Sequence, residues 1–211
     1  QQVGMLPIVV HGGGPQIGEM LSKLQIKTEF INGLRITDAA TIDVVEMVLS
    51  GVTNKSIVSA IANSGAKSVG ISGKDGNLIT AKRLNKVDDN SDSNVEKAID
   101  LGYVGEPEKI DPQVIHALIN EKMIPVIAPV GIGTDGLTYN INADTAAGSI
   151  SAAMKASRMI MLTDVAGVLD QNGKLIPELT ISEAQELIKN KIVVGGMIPK
   201  IKTCIDAVLG C

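Results

Sequence analysis

The alternation of short apolar runs with amphipathic helical segments is the feature that most constrains the fold of this chain. Each apolar run reads as a buried strand. The clearest runs are LPIVV (6–10), KSVGIS (67–72), IPVIAPV (124–130) and RMIMLT (158–163). Strands that are joined by helices pair in parallel, and a parallel sheet needs helices over its faces. The alternation therefore predicts an α/β fold with a mostly parallel sheet covered by helices on both sides.

Helix boundaries follow from capping residues, glycines and prolines. The segment 37–51 predicts a helix that stops at Gly51, and the segment 53–65 predicts a second helix that ends at Gly65. Further helices are predicted at 15–24, 111–122, 143–156, 180–190 and 199–209.

Asp-Gly and Asn-Gly pairs stand between candidate strands. They occur in KDGN (74–77), TDGL (134–137) and QNGK (171–174). Such pairs adopt the positive φ angles of tight hairpin turns, so each predicts a β-hairpin that adds antiparallel strands at the edges of the sheet. The polar stretch NKVDDNSDSN (85–94) predicts a loop.

The composition argues against several classes of function. The chain has no Trp, two Tyr and one Phe, whereas base-stacking nucleic-acid modules need aromatic platforms. Its net charge of −4 provides no basic stripe for a nucleic acid. Two histidines and two cysteines cannot assemble a zinc cluster. No run approaches the ~20 apolar residues of a membrane span. We therefore expect a cytoplasmic protein with no nucleic-acid partner, no membrane partner and no metal cluster.

Three consecutive glycines in VVHGGGPQI stand where the first strand passes into a helix. Ligands of open α/β sheets bind at this end of the strands, and the N–H groups at a helix start bind anions. The motif is not a Walker A loop, because Gly13 and Gly18 are followed by Glu19. It is not a dinucleotide fingerprint either, because Ile17 stands where the third glycine belongs. The turn is therefore either a loop that contacts an anionic ligand or a structural turn.

Two polar features precede other predicted helices. Arg35 in NGLRIT has a planar guanidinium that suits bidentate binding of a carboxylate or phosphate, and the alternative is a surface arginine. In YNINADTAAG the residues Asn140, Asn142 and Asp144 recur with a period of two, so on a strand their side chains point the same way. Helix capping by Asn142 or Asp144 explains one of the three. The pattern favours a ligand role for at least one of them.

Two motifs of the C-terminal third repeat this arrangement. In VVGGMIPK, glycines precede a helix that carries Lys200 in its first turn. A cation there opposes the helix dipole, which indicates either a phosphate ligand or an exposed lysine. In LTDVAGVLD, Asp164 and Gly167 follow a predicted strand, and Asp164 is open to capping, to ribose binding or to neither.

The five motifs VVHGGGPQI, NGLRIT, YNINADTAA, LTDVAGVL and GGMIPK occur in one order along the chain. In this order they make the chain similar to members of the amino acid kinase family over nearly all of its 211 residues. The resemblance implies an open three-layer αβα sandwich with a mainly parallel central sheet and peripheral β-hairpins. It also implies transfer of the γ-phosphoryl group of ATP to the side-chain carboxylate of N-acetyl-L-glutamate, which yields an acyl phosphate in arginine biosynthesis.

The resemblance gives each motif a role in substrate binding. Gly13 and Gly14 would contact the acceptor carboxylate and the transferring phosphoryl group through their N–H groups. Arg35 and Asn140 would hold the α-carboxylate and the amide end of the substrate. A carboxylate acceptor is ionised near neutral pH, so the reaction needs no general base and neither histidine needs to transfer a proton.

For catalysis the resemblance implies two residues. Lys200 would stabilise charge on the nucleotide side of the transition state, and Asp144 would orient the catalytic lysines. ATP would bind with Mg²⁺ bridging its phosphates. The nucleotide pocket would be formed by Asp164, Gly167, Gly196, Met197 and Lys200.

The resemblance also implies an organisation for the protein. Residues 1–211 would form a single kinase domain, with a substrate-binding half at about 1–130 and a nucleotide-binding half at about 131–211. Family members also have an N-terminal strand that ends in a Lys-x-Gly-Gly turn, and C-terminal strands; we expect both in the full polypeptide. A homo-oligomer, dimer or hexamer, is expected. The alternatives are a sibling kinase with another carboxylate or phosphate acceptor, and a catalytically silent subunit that senses an amino acid or a nucleotide.

Overall fold

The computed structural model describes residues 4–31, 33–84, 86–87 and 98–210. The chain forms two compact units, Gln1–Ala146 and Ala147–Cys211. The strands are β1 (Val9–Val10), β2 (Phe30–Ile31), β3 (Leu34–Arg35), β4 (Ser68–Ser72), β5 (Ile79–Arg83), β6 (Lys86–Val87), β7 (Ala98–Ile99), β8 (Val104–Ile110), β9 (Ile124–Ala128), β10 (Val130–Gly133) and β11 (Thr138–Ile141). The α-helices are α1 (Gly14–Lys23), α2 (Ala39–Glu46), α3 (Asn54–Asn63), α4 (Gln113–Asn120), α5 (Ala143–Ala153), α6 (Ile181–Lys189) and α7 (Met197–Gly210).

A parallel sheet lies in the core of the first unit. Its strand order is β1-β9-β4, and both pairs are parallel. The central strand β9 is buried along its whole length, as expected for a strand that helices cover on both faces. The apolar faces of α1 and α2 pack into one cluster with Ala128 and Val130. This parallel sheet with its helices confirms the predicted α/β class.

A second set of strands closes on itself in the order β10-β11-β8-β5. Strands β10 and β11 form the hairpin predicted at 134–137, with Gly136 at a φ of 78° in the turn. The turn at 74–77 was predicted as another hairpin and is not one. It contains the short 3₁₀ helix Asp75–Asn77 and connects β4 to β5, which belong to different sheets. Its Asp-Gly pair forms a tight turn, but the neighbouring strands find other partners.

The prediction that a helix stops at Gly51 is wrong. The seven residues Met47–Thr53 form a π-helix that joins α2 directly to α3, so helix runs from Ala39 to Asn63. Val45, Val48 and Leu49 are buried on it. By length and hydropathy alone it is the one helix among the described residues that could cross a membrane, a test that core helices of soluble proteins also pass. The predicted end at Gly65 is correct within two residues, and Gly65 has a φ of 82°.

The second unit contains α6, α7 and the turn predicted at 171–174. An isolated antiparallel bridge joins Leu169 to Leu175 around that turn, with Gly173 at a φ of 76°. Thr180 caps α6, and its reciprocal bonds with Glu183 form a complete capping box. A small core gathers Ala184, Val193 and Ile201.

Two other sequence predictions concern the strand at 158–163 and the loop at 85–94. The run 158–163 was predicted as a strand, but none of its residues is in a strand. Ile160 is 74% exposed and Leu162 is 91% exposed, so this run pairs with no strand in the described part of the chain. Of the loop predicted at 85–94, Lys86–Val87 form β6, which pairs with β7; the other residues of that loop lie outside the described ranges.

Candidate functional site

An open pocket of about 220 Å³ lies in the first unit, where β1 passes into α1. Of the residues predicted from the sequence, Gly13, Gly14, Arg35 and Asn140 all line it. Pro129, which follows β9, lines it too, so the pocket opens at the carboxyl ends of two parallel strands. Open α/β sheets bind their ligands at this edge.

The glycine turn forms the start of α1 at the wall of this pocket. Helix α1 begins at Gly14 with Pro15 in its first turn. Within the described residues, no hydrogen bond engages the N–H groups of Gly13 and Gly14. Unpaired N–H groups at the positive end of a helix dipole form an anion-binding site. The ligand-contacting alternative for the turn therefore has direct geometric support.

Gly13 and Gly14 have different reasons to be glycine. A Cβ at Gly13 would lie 2.8 Å from Leu49 Cδ2 and 3.2 Å from Thr53 Oγ1, so the turn packs closely against the π-helix. A Cβ at Gly14 would meet no atom within 4 Å. Packing therefore disfavours a side chain at position 13, whereas at position 14 the protein itself leaves space for a side chain.

Arg35 on β3 is buried, with 7% of its surface exposed, so the surface-arginine alternative is wrong. Its Nη1 donates to Thr28 Oγ1 at 3.0 Å, and its Nη2 donates to the carbonyl oxygen of Gly14 at 3.0 Å. The guanidinium carbon lies 4.5 Å from the centroid of the Phe30 ring, a cation–π contact. These contacts fix the guanidinium beside the glycine turn.

No carboxylate of the described residues forms an ion pair with Arg35. Burial lowers the pKa of this guanidinium, but an arginine side chain in a protein stays charged. A buried cation without an anionic partner is costly unless a ligand supplies the negative charge. The electrostatics of the pocket therefore favour an anionic ligand.

The three polar residues of the period-two pattern separate into different settings. Asn140 on β11 lines the pocket, and its Nδ2 donates to Thr37 Oγ1 at 3.4 Å. Asn142 also lines the pocket and caps α5, since its Oδ1 accepts from the N–H of Thr145 at 3.1 Å. Asp144 is half-buried in the first turn of α5. Capping thus accounts for Asn142, while Asn140 lines the pocket and caps no helix among the described residues.

The residues predicted to contact the nucleotide all lie in the second unit. Asp164 is exposed, and its Oδ1 accepts from Thr163 Oγ1 at 3.2 Å. Gly167 has a φ of 143°, and a Cβ there would lie 2.8 Å from Leu175 Cδ1, so its backbone requires glycine. Both residues lie in the segment that precedes the 171–174 turn.

Helix α7 carries the other predicted nucleotide residues. It begins at Met197, directly after Gly196, and Lys200 is half-buried in its first turn. Gly195 has a φ of 59° and its carbonyl oxygen accepts from the N–H of Ile198 at 3.2 Å. The start of this helix thus has two glycines, a tight turn and a lysine, as VVGGMIPK predicts.

Sequence reasoning missed the residues that support the pocket from behind. His11 and Asn54 are buried behind the glycine turn and bonded to each other. Gly18 faces Arg35, and a Cβ there would lie 3.7 Å from its Nη2, which is an ordinary contact distance. Gly14 and Gly18 are four residues apart on α1, so they share a face.

No group of three or more His, Cys, Asp or Glu side chains that could hold a metal ion occurs in the described ranges. A dedicated protein cage for a divalent cation is therefore absent from them. Mg²⁺ that acts with a nucleotide is held by one or two carboxylates and the phosphates of the substrate, and needs no such cage.

Comparison with known proteins adds to this geometry. The model of the amino acid kinase family matches residues 1–211. The acetylglutamate kinase of Gluconobacter oxydans is 61% identical over 206 residues, which are 98% of the chain and 70% of that protein. The acetylglutamate kinase of Acidiphilium cryptum is 57% identical over 208 residues, 99% of the chain and 70% of that protein. Among solved structures, smu.665 from Streptococcus mutans UA159 matches with a TM-score of 0.84 at 29% identity and covers 99% of the chain and 80% of that structure.

Proposed function

The chain belongs to the amino acid kinase family, and we infer that it is an acetylglutamate kinase. It transfers the γ-phosphoryl group of ATP to the side-chain carboxylate of N-acetyl-L-glutamate, and the product is an acyl phosphate. This reaction is a step of arginine biosynthesis. The similarity to acetylglutamate kinases extends over nearly the whole chain.

Within the site, the observation that best supports this function is the buried guanidinium of Arg35. It has no carboxylate partner among the described residues and lies beside the glycine turn, at 3.0 Å from the carbonyl oxygen of Gly14. An acceptor with two carboxylates fits this pocket. Arg35 binds the α-carboxylate, Asn140 binds the amide end, and the side-chain carboxylate meets the N–H groups of Gly13 and Gly14.

Phosphoryl transfer asks the protein for position and for charge stabilisation. The acceptor carboxylate is already a nucleophile near neutral pH, so the site needs no general base. The N–H groups of Gly13 and Gly14 stabilise the charge on the phosphoryl group as it moves, because they are fixed before the reaction begins. The geometry of His11 agrees with this view, since hydrogen bonds occupy both of its ring nitrogens.

The second unit supplies the nucleotide side of the reaction in this proposal. Lys200 of that unit stabilises charge on the phosphates, and Asp144, which belongs to the first unit, orients the catalytic lysines. The nucleotide contacts are Asp164, Gly167, Gly196, Met197 and Lys200. Mg²⁺, when bound with ATP, neutralises phosphate charge; its protein ligands would be few. We further propose that the protein works in the cytoplasm as a homo-oligomer.

A phosphoryl-transfer assay on the full-length protein tests the function. Hydroxylamine traps an acyl phosphate as a hydroxamate, so product formation is followed directly. N-acetyl-L-glutamate is compared with L-glutamate and L-aspartate, and with carbamate by ADP release, each with ATP and Mg²⁺. We expect ATP-dependent hydroxamate with N-acetyl-L-glutamate at the highest kcat/KM. Faster turnover of another acceptor would show a sibling kinase, and ATP binding without any turnover would show a silent sensing subunit.

A further inference from the structure

His11 is a buried titratable residue that the reaction does not use as an acid or a base. It follows β1 and is 8% exposed. Both of its ring nitrogens are bonded: Nδ1 lies 2.9 Å from the carbonyl oxygen of Gly12, and Nε2 lies 3.1 Å from Nδ2 of Asn54. A carbonyl oxygen only accepts hydrogen bonds, so Nδ1 carries the proton.

Asn54 independently fixes the other nitrogen. Its side chain is fully buried, and the two hydrogens of its Nδ2 are shared among three acceptors: His11 Nε2 at 3.1 Å, the carbonyl oxygen of Val126 at 2.9 Å and, at the longest distance, the carbonyl oxygen of Ile71 at 3.3 Å. Its Oδ1 accepts from Lys55 Nζ at 3.2 Å. If the amide were flipped, its oxygen would face two carbonyl oxygens and its nitrogen would face an ammonium group. The orientation is therefore set, Asn54 is the donor to His11, and Nε2 carries no proton.

The surrounding residues keep this arrangement in place. A Cβ at Gly70 of β4 would collide with Asn54 Oδ1, so glycine at that position makes room for the amide. Burial lowers the pKa of His11, which keeps the ring neutral near pH 7. A second proton on Nε2 would face the NH₂ group of Asn54, donor against donor.

The bond to Gly12 has a consequence for the pocket. A trans peptide is planar, and its C=O and N–H point in opposite directions. Holding the carbonyl oxygen of Gly12 on His11 therefore directs the N–H of Gly13 away from the imidazole. Gly13 lines the pocket and its N–H has no hydrogen-bond partner among the described residues, so this N–H is available to a ligand.

We propose that His11, oriented by Asn54, is a positioning residue that fixes the Gly12–Gly13 peptide so that the N–H of Gly13 binds the transferring phosphoryl group or the acceptor carboxylate. The proposal rests on the proposed function. It gives the buried histidine a role through hydrogen-bond geometry instead of proton transfer.

Two substitutions separate the two bonds of His11. The amide nitrogen of asparagine is separated from Cβ by the same number of bonds as Nδ1 of histidine. H11N therefore keeps a donor to the carbonyl oxygen of Gly12. The amide oxygen of glutamine is separated from Cβ by the same number of bonds as Nε2 of histidine. H11Q therefore keeps an acceptor for the amide of Asn54 and loses the donor to the carbonyl oxygen of Gly12. The control is the other histidine of the chain, the exposed His116, substituted in the same two ways.

The full-length variants are compared in the hydroxamate assay and in urea unfolding. We expect H11Q to lower kcat about 10- to 100-fold, less than the ~10²–10³-fold cost of deleting such a donor. H11N should stay within a few-fold of the wild type, and neither variant should change the KM for ATP. Equal kcat losses in H11N and H11Q, or losses that follow the free energy of unfolding, would overturn the proposal.

A second measurement needs no activity and no substitution of His11. NMR of isotope-labelled histidine distinguishes the two ring nitrogens, and the H116Q spectrum assigns the two residues. We expect a neutral His11 at pH 7 with the proton on Nδ1; a proton on Nε2 overturns the proposal. If the protein does not phosphorylate N-acetyl-L-glutamate, the proposed function fails. The NMR result does not depend on the substrate, so it still tests the position of the proton on His11.

Discussion

At the scale of single residues, the adjacent glycines of the turn are the sharpest probes of the pocket. Gly13 faces the π-helix, where a Cβ would crowd Leu49 and Thr53. Gly14 faces open space, where a Cβ meets no protein atom. A side chain at position 13 therefore perturbs the packing, whereas one at position 14 perturbs only what the pocket binds.

Gly14→Ala should leave the fold intact and impair the reaction. Gly14 is the first residue of α1, and alanine is the better helix former, so the free energy of unfolding should stay within about 1 kcal/mol of the wild type. The added methyl group displaces the bound carboxylate or phosphoryl group, and a shift of ~1 Å costs about 100-fold in rate. Urea unfolding and the hydroxamate assay measure the two effects.

Gly13→Ala is the matched comparison. Leu49 is buried and cannot turn away freely, so overpacking should cost about 1–3 kcal/mol of stability. Gly13→Val would therefore reduce activity partly through the fold and is the poorer test of the site. If Gly14→Ala keeps full kcat and KM, the N–H group of Gly14 does not lie against the reacting groups.

Lys200→Ala tests the proposed charge stabiliser. If Lys200 acts like other fixed donors to a developing charge, its loss should lower kcat by about 10²–10³-fold and raise the KM for ATP far less. The control is Lys202→Ala, since Lys202 is exposed on the same helix, one residue beyond the buried Ile201. An unchanged kcat in Lys200→Ala, in steady-state assays with saturating substrates, would remove Lys200 from the catalytic set.

At the scale of elements, the π-helix is what the sequence did not reveal. Helix-stop rules assign a glycine that follows an apolar helical pattern to the left-handed C-terminal position. Gly51 does not have a positive φ, and the helix continues through it. The extra residue of the π-turn places Leu49 and Thr53 against the glycine turn and brings Asn54 to His11. This arrangement depends on long-range packing, which a local pattern does not encode.

Gly51→Ala and Gly65→Ala should change stability in opposite directions. Gly51 is exposed within a helix and a Cβ there meets nothing, so alanine should stabilise the protein by about 0.5–1 kcal/mol. Gly65 has a φ of 82°, where a Cβ costs about 1–2 kcal/mol. Urea unfolding of both variants provides the measurement. Destabilisation by Gly51→Ala would mean that the helix does end there.

The elements that could be predicted from the sequence are those whose signals are local. Proline and glycine at the start of α1, the Thr180 capping box and the 134–137 hairpin need only neighbouring residues. The run 158–163 needs a strand beside it, and its pattern says nothing about whether one is present. The KDGN turn has the signal of a hairpin, but β4 and β5 take partners distant in sequence.

At the scale of the whole molecule, the candidate site could also be predicted only in part, because some of its contacts join residues that are distant in sequence. The order of five motifs predicted Gly13, Gly14, Arg35 and Asn140, and one pocket gathers these four. The sequence left open whether Arg35 was buried, because burial depends on residues far along the chain. The support from His11 was missed for the same reason, since Asn54 lies 43 residues away.

The division of labour between the two units gives the last prediction. The residues proposed for the acceptor lie in Gln1–Ala146, and those proposed for the nucleotide contacts lie in Ala147–Cys211. A ligand slows hydrogen exchange of the amides that it binds or stabilises. N-acetyl-L-glutamate alone should therefore protect the segments 12–14 and 140–142 of the full-length protein. A non-hydrolysable ATP analogue should protect 164–167 and 195–200.

Hydrogen exchange read by mass spectrometry, with each ligand alone and with both, makes this comparison. The glycine turn is the decisive segment, because its motif resembles a nucleotide loop while failing both nucleotide fingerprints. Protection of 12–14 by N-acetyl-L-glutamate, increased when the analogue is added, fits an acceptor loop that also meets the phosphoryl group. If the analogue alone protects 12–14 and leaves 195–200 unchanged, the glycine turn belongs to the nucleotide, and Lys200 lies away from the phosphates.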